Sequence, residues 1–308
     1  MKRIFAAATF AAALLLAPSA QAQVPPDIAA KIREIGRVID PPKTGAIYQP
    51  LHGAQPYQGV HVQTDLKYGP DERHLLDMVT PKEEDSKPRP VLIFVHGGGF
   101  VRGDRNLQGP FNGNILTWAV KNGFVGINMT YRLAPKHQWP AGRDDVATVV
   151  NFARRNIEKH GGDPSRIYVM GHSAGAVHVA TYVAMLAEKG EKPIAGAIMV
   201  SGRYLIDPAD LSDGDKPYFG ENPSVYAEGS SLKSFPKAGF PLMFAHAELD
   251  PPIYGRHAEL ARKLLCDGGK CPRFVSLKDH SHISETYAVG TSDVSLSNEI
   301  LAFTGMGK

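Results

Sequence analysis

The feature that most restricts this 308-residue chain is a short turn with different patterns on its two sides. Ile167-Tyr168-Val169-Met170 is an apolar run of strand type, and residues 174–188 form an alanine-rich stretch of helical type closed by Gly190. Between them stands Gly171-His172-Ser173-Ala174-Gly175, the pattern G-x-S-x-G. A strand that passes into a helix through so tight a turn needs glycine on both sides, because a side chain there would collide with neighbouring backbone. The turn would hold the Ser173 hydroxyl clear of a sheet, at the positive end of a helix. A chain built around this unit is expected to be α/β.

The rest of the sequence alternates in the same way. Residues 61–68 and 75–80 read as two early strands, turning through Gly69-Pro70-Asp71. Val91-Leu92-Ile93-Phe94-Val95 is uninterrupted in apolarity, as a strand buried on both faces should be. Further strands are expected at 124–129, 166–170, 194–200, 241–247 and 273–277, with helices at 115–122, 141–160, 253–265 and about 294–303. Strand and helix in alternation imply a mostly parallel sheet covered on both faces, here as one domain over residues 58–308. Residues 23–57 read as an N-terminal arm, with a short amphipathic helix at 29–39 and an irregular Pro- and Gly-rich part at 40–57. Residues 202–238 carry many Pro, Gly, Asp and Ser and little periodicity. They are the candidate lid-like insertion: with Tyr204, Tyr218 and Phe219, and together with the arm at 23–57, they are the candidate pocket lid. Asp144 and Asp145 are expected to cap or pair within their own helix.

Charge narrows the partners. The 34 basic and 31 acidic side chains leave a net +3, and no dense Lys/Arg cluster gives a case for nucleic acid. At the N-terminus Lys2 and Arg3 precede an apolar stretch at 4–16, then Pro18 and Ala20-Gln21-Ala22. This is the pattern of a secretory signal peptide cleaved after Ala22. Thirteen residues at about 1.5 Å each span roughly 20 Å, short of the roughly 30 Å a membrane core requires. The mature chain is therefore expected in the periplasm or secreted, without stable membrane insertion. Export implies an oxidising compartment, so the only two cysteines, Cys266 and Cys271, are expected to form a disulfide. Two thiolates without further ligands at zinc-like spacing make a metal site the weaker reading.

A second glycine motif follows the apolar run at 91–95: His96-Gly97-Gly98-Gly99-Phe100. Acyl transfer needs donors aimed where a carbonyl oxygen turns negative, and backbone N–H groups serve when no side chain blocks approach. Gly98, Gly99 and Ala174 are the candidate oxyanion donors, with His96 orienting the loop. The motif fits neither phosphate-binding glycine pattern. A serine nucleophile also needs a base and an acid that orients the base. Asp250, just past the 241–247 strand and before two prolines, is the candidate acid, with Glu248 as alternative. After the 273–277 strand His280 and His282 compete, and His282, followed by the anchoring Ile283, is the candidate base. His52 and His61 have no partner motif.

Four motifs in order resemble the hormone-sensitive-lipase branch of the α/β-hydrolases. They are residues 96–100, Tyr131-Arg132-Leu133-Ala134-Pro135 running to Pro140, Gly162-Asp163-Pro164-Ser165-Arg166, and residues 171–175. Tyr68-Gly69, Leu76-Asp77-Met78 and Ser281-His282-Ile283-Ser284 look closer to bacterial feruloyl-esterase-like and kynurenine-formamidase-like hydrolases. The resemblance spans about residues 60–303. It implies an α/β-hydrolase fold and a cofactor-free serine carboxylesterase acting on a small-molecule ester. Ser173 would attack, His282 would act as base and then acid, and Asp250 would orient it. The chain departs from the lipase-like branch at the histidine, where His-Gly-Phe is usual and His282-Ile283-Ser284 stands here.

Small or aromatic carboxylic esters are the expected substrates. An amidase or formamidase on the same triad is the alternative. A non-catalytic binding protein that kept the fold is the reading from another class, and it does not require every site position to be filled.

Overall fold

The computed structural model describes residues 24–52, 57–83, 87–107 and 109–307. The expected signal peptide, residues 1–22, lies outside the described residues. The chain runs α1 (Pro26–Ile35), α2 (Pro41–Tyr48), β1 (His61–Lys67), β2 (Leu75–Thr80), β3 (Arg89–Val95), α3 (Gly113–Lys121), β4 (Val125–Met129), α4 (Ala141–Asn156), β5 (Gly162–His172) and α5 (Ala174–Lys189). It continues with β6 (Gly196–Val200), α6 (Lys216–Phe219), α7 (Pro223–Gly229), β7 (Leu242–Ala247), α8 (Pro252–Asp267), β8 (Arg273–Leu277), α9 (Ser284–Tyr287) and α10 (Ser295–Thr304).

The strands form one eight-stranded sheet in the order β1-β2-β4-β3-β5-β6-β7-β8. β1 and β2 are antiparallel to each other and β2 to β4, and every later pairing is parallel. The apolar run of β3 shows why both faces are covered. Val91, Ile93 and Val95 face the core built with α4, α5 and α8, while Leu92 and Phe94 face the core built with α3 and α10. Alternate residues of a strand point to opposite faces, so a strand clad by helices on both has no polar position left.

The arm differs from the irregular reading of residues 40–57. Asp40 accepts a hydrogen bond from the Lys43 N–H at 3.0 Å, and Pro41 and Pro42 occupy the first helical positions of α2. Proline early in a helix forfeits only an N–H that would be unbonded anyway, so here it starts the helix. Val24, Ile28, Ala29, Ile32 and Tyr48 form a small core with Phe111, Ile283, Tyr287 and Ala288.

Two further readings are corrected. Asp145 does not pair within its helix. Wholly buried, it accepts from His74 Nε2 at 2.9 Å and from the Arg132 backbone N–H at 2.7 Å, tying α4 to the start of β2 and the end of β4. Asp144 does pair with its helix neighbour Arg143. In the 202–238 segment Tyr204 belongs to the main core against Phe235 and Phe244, and Tyr218 and Phe219 pack on Phe100. All three are at most 2% exposed, and none of them lines the cavity at Ser173.

Candidate active site

The site assembles at the C-terminal ends of the parallel strands. β5 ends at His172, Ser173 adopts φ 55°, and α5 begins at Ala174. A positive φ at a non-glycine residue is strained, and it is held here by close backbone approach on either side. A Cβ on Gly171 would lie 2.3 Å from the Gly175 carbonyl oxygen, and one on Gly175 would lie 2.1 Å from that of Val95. Glycine at both positions is thus a packing requirement of the turn.

The structure brings Ser173, His282 and Asp250 together. The Ser173 hydroxyl donates to His282 Nε2 at 2.8 Å, and His282 Nδ1–H donates to Asp250 Oδ1 at 2.7 Å. Asp250 follows β7 and His282 follows β8, so both side chains hang from loops at the same edge as the serine. The second Asp250 oxygen accepts from Ser201 Oγ at 2.6 Å and from the Ala247 N–H at 2.9 Å. Burial pushes the Asp250 carboxyl up, but the hydrogen bond and charge of His282, with Ser201 and Ala247, outweigh it and hold it below the usual value. Asp250 is thus an anion buried beside His282, which fixes the proton on Nδ1 and leaves Nε2 to accept.

The alternatives of the sequence take other places. Glu248 Oε2 accepts from the Asp279 N–H at 2.8 Å. His280 is wholly buried, with Nδ1 3.1 Å from Ser284 Oγ and Nε2 3.2 Å from Asp293, and so supports the loop that carries His282. His52 reaches the Tyr287 carbonyl at 2.7 Å.

Gly97, Gly98, Gly99, Ser173 and Ala174 line one cavity of about 560 Å³ with His282. A Cβ on Gly97 would stand 3.1 Å from the Ser173 Cβ, which places the glycine loop against the nucleophile turn. Gly98 has φ 130°, and a Cβ there would meet the Arg102 carbonyl oxygen at 2.0 Å. Ala174 opens α5, so its N–H has no partner within the helix. His96 accepts no catalytic partner. It is buried, stacks on Tyr131 at 4.3 Å and lies 2.7 Å from the Gly97 carbonyl, and burial lowers its pKa to about 4, so it braces the loop as a neutral ring. Behind it, buried Asp77 accepts from Arg105 Nε at 2.8 Å and Asn106 at 2.7 Å, anchoring the loop's return to β2.

Several residues of the site were not singled out from the sequence. Ser201 directly follows the apolar run of β6. Tyr254 stands four positions after Asp250. Glu285 stands three after His282. His172 is the variable position of the turn itself; it donates through Nε2 to the His282 carbonyl at 2.7 Å. Burial, then the neighbouring His282, lowers its pKa to about 3. The cavity's other walls are Ile39 and Pro41 of the arm, Leu107, Ile253, Tyr254, Ile283 and Tyr287 on the apolar side, and Arg203, Asp210, Ser212 and Asp215 from the 202–238 segment. That segment therefore contributes polar groups to the cavity. His172, His282 and Glu285 offer ligand atoms within 4.8 Å of one another, but both ring nitrogens of His282 and Nε2 of His172 are already hydrogen-bonded.

The fold has solved counterparts. A bacterial heroin esterase superposes with a TM-score of 0.68 at 24% identity, over 93% of this chain and 98% of that one. A truncated carbohydrate esterase from gut microbiota gives 0.69 at 18% identity, over 83% and 99%. The BD-FAE family model matches residues 76–203. The chain thus shares the fold of these solved esterases. Among its sequence relatives, the chain is 31% identical to esterase LipC of Mycobacterium tuberculosis over 224 residues, 65% of this chain and 54% of that protein. It is 35% identical to carboxylesterase NlhH of the same organism over 133 residues, 43% of this chain and 39% of that protein. The chain thus spans about half the length of the first of these relatives.

Cys266 and Cys271 are joined by a disulfide, with Cα atoms 4.0 Å apart, between the end of α8 and the start of β8. Among the described residues no helix is long and apolar enough to cross a membrane.

Proposed function

We propose that this protein is an exported serine carboxylesterase that cleaves small or aromatic esters through an acyl-enzyme. The observation that carries the reading is the relay from Ser173 Oγ to His282 Nε2, 2.8 Å, and from His282 Nδ1 to Asp250, 2.7 Å. It opens on a cavity lined by the glycine loop. His282 takes the Ser173 proton as the oxygen attacks the ester carbonyl. The carbonyl oxygen turns negative beside the N–H groups of Gly98, Gly99 and Ala174. His282 then returns the proton to the departing alkoxide, and the acyl group stays on Ser173. Water, deprotonated by the same histidine, releases the acid. Relatives named as esterases support the ester as substrate. Export is supported by the pattern of residues 1–22 and by the Cys266–Cys271 pairing.

The test is hydrolysis of p-nitrophenyl esters from acetate to palmitate, with matched anilides, by wild type and Ser173→Ala. Ester turnover that vanishes in the variant is expected. Failure of a fluorophosphonate to label Ser173 in the wild type would sink the reading. N-terminal sequencing of the protein recovered outside the cytoplasm should begin at Gln23; an intact Met1 in the cytoplasm would refute export.

A further inference from the structure

We propose that Tyr254 is a further catalytic residue, a phenol that hydrogen-bonds to the leaving-group oxygen while its ring backs the His282 imidazole. The proposal rests on the esterase reading above and assigns a role that neither the triad nor the glycine loop fills.

Tyr254 lies on the cavity wall. Its ring centroid is 4.3 Å from that of His282, with the planes inclined by 35°. Ser173 and His282 line the same cavity. The position is stiffly held: Tyr254 sits in the first turn of α8 after Pro251 and Pro252, and its N–H donates to the Pro251 carbonyl at 3.1 Å.

These contacts decide which oxygen of the substrate the phenol meets. The carbonyl oxygen is directed to the glycine loop and the start of α5. The leaving oxygen must lie beside His282 Nε2, because that nitrogen delivers its proton. A phenol whose ring leans against His282, in the cavity that Ser173 also lines, lies on the side of the leaving group. As the ester C–O bond breaks, the Nε2 proton passes to the departing oxygen and the Tyr254 proton stays on Tyr254. Burial raises the phenol pKa above its ordinary value, so it remains a donor throughout. The ring face meanwhile stands where His282 becomes cationic, a favourable contact for a π-system.

The test compares Tyr254→Phe with wild type on two butyrate esters that differ only in the alcohol, ethyl and p-nitrophenyl. An alkoxide needs help to leave and p-nitrophenolate does not. Loss of one hydrogen bond to a charged group should lower kcat/KM for the ethyl ester by roughly 10- to 100-fold, against less than about 3-fold for the p-nitrophenyl ester. Equal losses on both esters, or no loss on either, would overturn the proposal. Fluorophosphonate labelling of Tyr254→Phe at the wild-type rate shows that the triad remains assembled. A wild type that labels and turns over, beside a variant with an unchanged ethyl-to-p-nitrophenyl ratio, defeats the role of Tyr254 alone. A wild type that does not label defeats the esterase reading, and this proposal with it.

Discussion

Arg37 Nη1 donates to the backbone carbonyl of Asp250 across 3.0 Å, joining residues 213 positions apart. Arg33 of the same arm pairs with Asp279, on the loop that carries His282. The arm thus touches the loops of both the acid and the base, and its Ile32 is wholly buried against them. Replacing Ile32 with Ala should cost about 2–4 kcal/mol by denaturant titration. Esterase activity should fall at denaturant concentrations below the main unfolding transition. Loss of activity only together with global unfolding would show that the arm does not hold the loops.

Asp250→Asn removes the charge that fixes the His282 tautomer while keeping nearly the same shape. A fall in kcat of about 10⁴-fold is expected, with far-UV dichroism unchanged. A loss under tenfold would mean that Asp250 is not the orienting acid.

Gly98→Ala places a methyl group 2.0 Å from the Arg102 carbonyl oxygen at φ 130°. The glycine loop must shift, and its N–H groups with it. We expect kcat to drop roughly 10²- to 10³-fold with a smaller change in KM. Wild-type kcat would show that this loop does not stabilise the oxyanion.

Glu285 is wholly buried, 3.2 Å from His172 Nε2, and neither of its oxygens has a hydrogen-bond partner of good geometry among the described residues. Burial, then the charge of Asp250, raises its pKa well above the ordinary carboxyl value. The native chain therefore keeps a proton that an unfolded chain has lost. Between the ordinary value and the raised one, folding takes up a proton, so stability falls as pH rises. Below the ordinary value both states are protonated and the penalty vanishes. Glu285→Gln removes this linkage. Its unfolding free energy should gain on the wild type from pH 4 towards pH 8, by at most about 1.4 kcal/mol per pH unit. Parallel stability curves would show that Glu285 is ionised in the native protein.

What could be read from the sequence was local. Ser173, the glycines at 97–99, Asp250 and His282 each follow an apolar strand, and each carries a residue type the chemistry demands. Ser201, Tyr254 and Arg37 escaped because their meaning depends on contacts formed only when separate strands lie side by side. Glu285, in the single turn of α9, has the local pattern of a solvated acid, and only its enclosure by His172 and Asp250 reveals otherwise. Pro41 misled because proline is ambiguous: the Asp40 cap makes it a helix start. Tyr204, Tyr218 and Phe219 were ambiguous in the same way, since an aromatic side chain serves a core as readily as a pocket.

The contacts of the arm also bear on the order of folding. Ile28, Ile32 and Tyr48 bury themselves against Ile283 and Tyr287, residues far away along the chain. Contacts so distant in sequence form late, because a long loop must close before they can be made. Ser173 sits in a strand–turn–helix unit of neighbouring residues, whereas His282 reaches it only once distant segments have met. The nucleophile is therefore armed late, after the turn that holds it has formed.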